Sequence, residues 1–185
     1  MGKKIVVALS TLLLSTIIYS QETKKDAQKA ETKMELFASK TGTIVKIVDT
    51  KLPDIKLLYG SAAETRIRKI MSGQESRFFY QIESQGKYTS STASIDYSDL
   101  LEIIKAIKSL KTDVDKDVTT NPDYLENKFT TVDGFQVGYY VSKGKPAWFL
   151  KLEKYGSENT VFVKDGDDIE TVFTEAKNKI EELKK

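Results

Sequence analysis

The sequence lacks two residue types altogether, because none of its 185 residues is a cysteine or a histidine. Without cysteine the chain cannot form a disulfide, a thiol nucleophile, an iron–sulfur cluster or a cysteine-ligated zinc site. Without histidine it cannot carry a Ser-His-Asp or Cys-His catalytic site or an imidazole-ligated metal. We therefore expect no cofactor and no metal, and a fold that is held together by its hydrophobic core.

Arginine is scarce, since the sequence contains only Arg66, Arg68 and Arg77. The formal net charge of the chain is only +2. A nucleic-acid binder normally carries a basic excess that matches the phosphate backbone, so we expect no nucleic-acid partner. Arg66 and Arg68 share one face of a predicted strand and would form a small anion patch at most.

A long apolar run occurs only at the start of the chain. Lys3 and Lys4 precede the apolar run 5–19, and the small residue Ser20 ends it. This order is typical of a secretory signal peptide, and the run is shorter than the roughly 20 apolar residues of a membrane-spanning helix. The sequence therefore predicts cleavage near residue 20, export to the periplasm or the cell exterior, and no integral membrane span in the mature chain.

Changes in composition divide the chain into predicted segments. Removal of residues 1–20 would leave 27 basic and 27 acidic side chains. Residues 21–33 contain no apolar side chain larger than alanine, which favours a flexible leader. The predicted divisions are a signal peptide (1–20), a polar leader (21–33), a half made of a β-meander and a helix (34–111), a polar linker (112–123) and a second such half (124–185).

The spacing of apolar residues changes from strand-like to helical twice along the chain, and these two changes predict the fold. Alternating and β-branched segments predict antiparallel strands between Met34 and Ile95 and again from residue 125 to residue 164. Each set of strands precedes an apolar stripe with helical spacing. The predicted class is α+β, with two antiparallel β-meanders in the order ββββα-ββββα, each helix packed on its sheet. The two stripes consist of Leu100, Ile103, Ile104, Ile107 and Leu110, and of Ile169, Val172, Phe173, Ala176, Ile180 and Leu183.

The two halves show a similarity at an offset of 70 residues. Phe79, Glu83 and Gly86 of the first half correspond to the identical residues Phe149, Glu153 and Gly156 of the second half. In each half these residues lead through a glycine turn to a further strand and an acid-capped helix. The repeated order is consistent with an internal duplication.

Acidic residues supply the candidate chemistry. Asp113, Asp115 and Asp117 have the spacing of the opening of a calcium-binding loop, but Val118 and Tyr124 depart from that pattern. We therefore expect a solvated acidic linker there instead of a metal site. A carboxylate pair is the machinery of glycoside hydrolysis, and Glu83 and Glu153 are the acids that stand out, each alternating with aromatic or polar neighbours. Two outward-facing strand acids are the better explanation of this pattern.

Outward-facing aromatic side chains supply the candidate binding site. Alternation places Tyr140 and Phe149 opposite the apolar residues that should face the core, with Phe79 as their counterpart in the first half. Exposed aromatic rings bind sugars or apolar partner groups at little entropic cost. The sequence therefore favours an exported, non-enzymatic binding or accessory protein of the cell envelope whose partner is an unidentified protein or glycan. The alternative is a small periplasmic hydrolase that uses a carboxylate pair.

Overall fold

The computed structural model describes residues 31–59, 62–120, 122–156 and 158–185. The predicted signal peptide and all but the last three residues of the predicted leader lie outside this part of the chain. The described elements follow the predicted order of four strands, a helix, four strands and a helix, after one short additional helix. The α+β fold class with two β-meanders is therefore confirmed.

Each half forms its own antiparallel sheet, in which the strands lie side by side in chain order. The first half comprises helix α1 (Lys33–Ala38), strands β1 (Val45–Ile55), β2 (Ala63–Ser72), β3 (Glu75–Gln85) and β4 (Ser90–Asp96), and helix α2 (Tyr97–Thr119). The second half comprises strands β5 (Leu125–Thr130), β6 (Gln136–Ser142), β7 (Lys145–Lys151) and β8 (Thr160–Val163), and helix α3 (Gly166–Leu183).

The two halves share one hydrophobic core. Helices α2 and α3 pack against each other and against both sheets, so each helix contacts its own sheet and also that of the other half. We call the sheet face that meets these helices the inner face. Phe173 of α3 contacts both halves. Its ring lies 5.3 Å from the ring of Tyr80 in the first sheet and 5.9 Å from that of Phe135 in the second half.

The apolar stripes of the two helices occupy this core. Every residue of the first predicted stripe is buried, as are four of the six in the second. Val172 and Leu183 are only partly buried at the margin of the core. Acidic caps fix the helix starts, since Asp96 accepts a hydrogen bond from the Ser98 amide and Asp165 accepts one from the Asp168 amide.

Helix α2 is longer than the sequence prediction, which placed a polar linker over residues 112–123. The helix continues to Thr119. Its last two turns are polar except for Val114 and Val118, which extend the apolar stripe from Leu110 at intervals of four residues and pack against the shared core. The chain between the helix and β5 is therefore only a few residues long.

Helix α1 is absent from the sequence prediction, which assigns the residues from Met34 onward to a strand-rich region. Thr32 and Glu35 form a reciprocal capping box at its start. The helix lies on the first sheet on the side opposite the shared core, which we call the outer face. There Phe37 packs against Ile70 and Phe79 in a small second core.

Candidate functional site

The predicted binding residues Tyr140 and Phe149 lie on the outer face of the second sheet. In the strand register Tyr140 pairs with Ala147 and Phe149 pairs with Gly138. The alternate residues Tyr139 and Trp148 point into the shared core, where their ring centroids are 4.9 Å apart. Alternation along the strands therefore assigned the correct face to both residues.

The expected exposure of these aromatics is wrong for two of the three. Phe79 is 0% exposed because α1 covers it on the first sheet, and Phe149 is only 5% exposed. Tyr140 is half-buried. Phe79 therefore belongs to the interior of this structure, and of the predicted residues only Tyr140 reaches the surface.

Tyr140 belongs to a continuous row of aromatic rings across the second sheet. Its ring stacks on that of Tyr124 with centroids 6.2 Å apart, and it meets the edge of Phe162 at 6.1 Å. Tyr59, which precedes β2, also makes a T-shaped contact with Phe162, with ring centroids 6.0 Å apart. We call Tyr59, Tyr124, Tyr140 and Phe162 the aromatic strip. Its two ends are the most accessible, because Tyr59 is 71% and Tyr124 is 64% exposed.

One end of the strip has a defined position because a backbone hydrogen bond holds it. The Leu58 amide donates a hydrogen bond to the Phe162 carbonyl at 2.8 Å, which fastens the segment carrying Tyr59 to the edge of the second sheet. Beside Tyr59 and Phe162 lies a shallow groove of about 280 Å³ that Gln85, Lys87 and Glu158 also line. The strip therefore ends next to polar side chains from both halves.

A second concave region, which we call the polar cleft, lies over the outer face of the first sheet. Its volume is about 400 Å³. Its walls are α1 on one side and loops of the second half on the other. Residues that line it include Met34, Glu35, Arg66, Arg68, Gln81, Thr92, Asp133, Phe135, Glu153 and Tyr155.

The arginines of the polar cleft are already engaged by carboxylates. Arg66 Nη2 donates to Glu83 Oε2 at 2.6 Å, and Arg68 donates two hydrogen bonds to the carboxylate of Asp49 at 2.8 and 2.7 Å. These bonds from Arg68 hold the pKa of Asp49 below its usual range. The small anion patch predicted from Arg66 and Arg68 is therefore neutralised from within the sheet.

The carboxylates on the opposite wall join the two halves. Glu153 Oε1 accepts a hydrogen bond from the Thr92 amide at 2.9 Å, and Asp133 Oδ2 accepts one from the Lys33 amide at 3.0 Å. Burial raises the pKa of Asp133, and the charge of Asp99 adds to the rise, while the bond from Lys33 opposes it. Both acids thus have a structural role at the junction between the halves.

The three aspartates proposed as an acidic linker lie on α2 instead of a loop. A helix turns successive alternate residues to different sides, so Asp113, Asp115 and Asp117 do not converge as they would in a calcium-binding loop. Asp117 accepts a hydrogen bond from the Tyr139 hydroxyl at 2.6 Å. Within the described residues no group of three or more acidic side chains is placed to hold a metal ion.

No family model, no curated protein and no solved structure matches the chain. Of the helices in the described ranges, none combines the length and the apolar character needed to cross a membrane.

Proposed function

We propose that the chain is an exported, non-enzymatic binding or accessory protein of the cell envelope and that it binds its partner through the aromatic strip. The observation that carries this proposal is the row of successive ring contacts at about 6 Å on the outer face of the second sheet. Among the described residues no helix covers this row, whereas α1 covers the corresponding region of the first sheet.

The physical chemistry of the strip suits binding. Large apolar side chains are normally withdrawn from water, and a contiguous exposed group of them marks an interaction surface. Tyrosine provides a large rigid contact area together with a hydroxyl that remains hydrated in the free protein. Neighbouring rings restrain Tyr124 and Tyr140, so they lose little further freedom when a partner binds.

The tyrosine rings of the strip suit two classes of partner, an envelope protein or a glycan. Tyrosine faces accept the apolar side of a sugar ring as well as apolar protein side chains. Export of the protein is supported by Lys3, Lys4 and the apolar run that follows them in the sequence. The proposed site of action is therefore the periplasm or the cell exterior.

The alternative of a carboxylate-pair hydrolase receives less support from the polar cleft. The raised pKa of Asp133 is a property that a general acid needs. However, Asp133 accepts a backbone hydrogen bond from Lys33, and Glu153 accepts one from Thr92. Glu83 is bound to Arg66. Asp133 and Glu153 stabilise the junction of the halves, whereas Glu83 is paired within the first sheet, and these roles account for the positions of the three acids without catalysis.

The test uses a double variant, Tyr59→Ser/Tyr124→Ser, immobilised and exposed to an envelope extract and to purified envelope glycans of the host. Both residues are exposed, so the variant should keep its melting temperature and lose the bound partner. The matched control is Tyr155→Ser, because Tyr155 is 52% exposed but lines the polar cleft instead of the strip. Equal retention of the partner by the wild type and both variants would contradict the proposal.

A further inference from the structure

Tyr140 of the aromatic strip and the adjacent Phe149 occupy the positions in the second half that correspond to the residues beneath α1 in the first half. The hairpins β2–β3 and β6–β7 have the same register at an offset of 70, since Ile70 pairs with Arg77 and Tyr140 pairs with Ala147. Helix α1 is seated on Ile70 and Phe79. The corresponding residues of the second sheet are Tyr140 and Phe149, so the strip region is the counterpart of a helix-binding surface.

The contact that α1 makes shows which side chains such a surface accepts. Met34 and Phe37 of α1 lie three residues apart and therefore on one side of the helix. Both point to the sheet, and Phe37 is only 3% exposed. A short amphipathic helix with one aromatic and one flexible apolar residue is thus sufficient to cover this kind of face.

The charge of the outer face of the second sheet differs from that of the chain as a whole. The predicted mature chain is neutral, whereas strand alternation places Glu126 and four lysines on this face. Lys128 pairs with Glu126, and Lys164 pairs with Asp165. Within the described residues neither of the other two has an ion-pair partner. The four lysines are Lys128, Lys145, Lys151 and Lys164.

We propose that the partner of the aromatic strip presents an acidic amphipathic helix, which packs its apolar side on the strip and places its carboxylates near Lys145 and Lys151. This inference rests on the binding function proposed above and names the chemistry of the partner. Lys145 stands two residues before Ala147 and Lys151 two residues after Phe149, so the two lysines flank the apolar centre along β7. Opposite charges around an apolar contact orient a partner and exclude partners of the wrong charge.

The experiment uses two synthetic peptides, each held helical by a side-chain bridge and each carrying methionine and phenylalanine three residues apart. One peptide has glutamate at its flanking positions and the other has glutamine. Binding to the protein is measured by fluorescence anisotropy at low salt. We expect the acidic peptide to bind roughly tenfold more tightly, because its carboxylates would form two additional ion pairs of modest strength with Lys145 and Lys151.

Lysine variants test whether the preference for the acidic peptide depends on Lys145 and Lys151. Lys145→Gln/Lys151→Gln should abolish the preference for the acidic peptide, while the control Lys105→Gln/Lys108→Gln on the exposed side of α2 should retain it. Equal affinities of the two peptides, absence of binding by both, or a preference that survives in the Lys145/Lys151 variant would each overturn the proposal. Sedimentation of the protein with phosphatidylglycerol vesicles without binding of the acidic peptide would overturn it in favour of a lipid surface.

The same variants separate this inference from the proposed function. If Tyr59→Ser/Tyr124→Ser loses the envelope partner while Lys145→Gln/Lys151→Gln keeps it at every salt concentration, the strip is a binding site but its partner is not acidic. If the tyrosine variant keeps the partner, the binding function of the strip itself is wrong.

Discussion

The two sheets of this protein have similar inner faces and different outer faces. Inside, both sheets contribute alternating apolar residues to one core around α2 and α3. Outside, the first sheet is covered by α1 and crossed by paired arginines and carboxylates, whereas the second sheet carries the aromatic strip and lysines. The shared core therefore constrains the inner face of each sheet and allows the two outer faces to differ.

The largest effect is expected from removing the side chain of Phe173, which contacts both halves. Phe173→Ala should reduce the free energy of unfolding by about 3–5 kcal/mol, because a fully buried ring with contacts to Tyr80 and Phe135 leaves a cavity that reaches both halves. The measurement is urea unfolding followed by Trp148 fluorescence and by far-UV circular dichroism. The half-buried neighbour Val172→Ala is the control and should cost clearly less. Separate transitions by the two probes would mean that the halves fold independently.

A smaller effect is expected when the first outer face is made to resemble the second. Phe37→Ala should detach α1 from Phe79 and cost about 1–3 kcal/mol, less than Phe173→Ala, because a six-residue helix can separate without opening the shared core. Hydrogen exchange should show loss of protection confined to α1. Leu36→Ala in the same helix is the control, since Leu36 is 55% exposed. A loss of protection throughout the protein would show that α1 is part of the main core.

The smallest effect concerns charge. The pKa of Asp49 is lowered by Arg68, so this pair contributes stability above the ordinary aspartate pKa and loses it as the pH falls through the lowered value. Asp49→Asn should therefore be less stable than the wild type near neutral pH, by less than about 1 kcal/mol for a partly exposed pair, and the difference should vanish in acid. The control is Glu126→Gln, which removes the ion pair between Glu126 and Lys128 on the second sheet and should change the melting temperature little. Melting temperatures between pH 2 and pH 7 would check this, and a deficit that grows in acid would refute the sign.

Local patterns in the sequence predict most of the fold. The strand order, the two apolar stripes and the acidic helix caps all depend on residues within a few positions of one another. The two features that the sequence prediction lacks, α1 and the last turns of α2, also have local signals. Thr32 and Glu35 have the spacing of a capping box, and Val114 and Val118 continue the stripe of α2 from Leu110. The polar side chains between the two valines obscured that continuation.

The candidate site could be predicted only in part. Alternation gives the face of Tyr140 and Phe149, and it would also have given that of Phe162, which lies between the inward residues Val161 and Val163. It cannot reveal that Phe79 lies beneath α1 or that Tyr59 reaches the second sheet. Those facts depend on contacts between distant parts of the chain, for which local spacing contains no signal.

Helix α3 follows both sheets in chain order, and this order has a consequence for biosynthesis. Vectorial synthesis produces both sheets before the helix that supplies Phe173, so the ring of Tyr80 has no contact with Phe173 while the first half emerges. Contacts between distant segments form late because loop closure must precede them. The first sheet therefore cannot complete its packing until α3 has been synthesised, although all four of its strands are made much earlier.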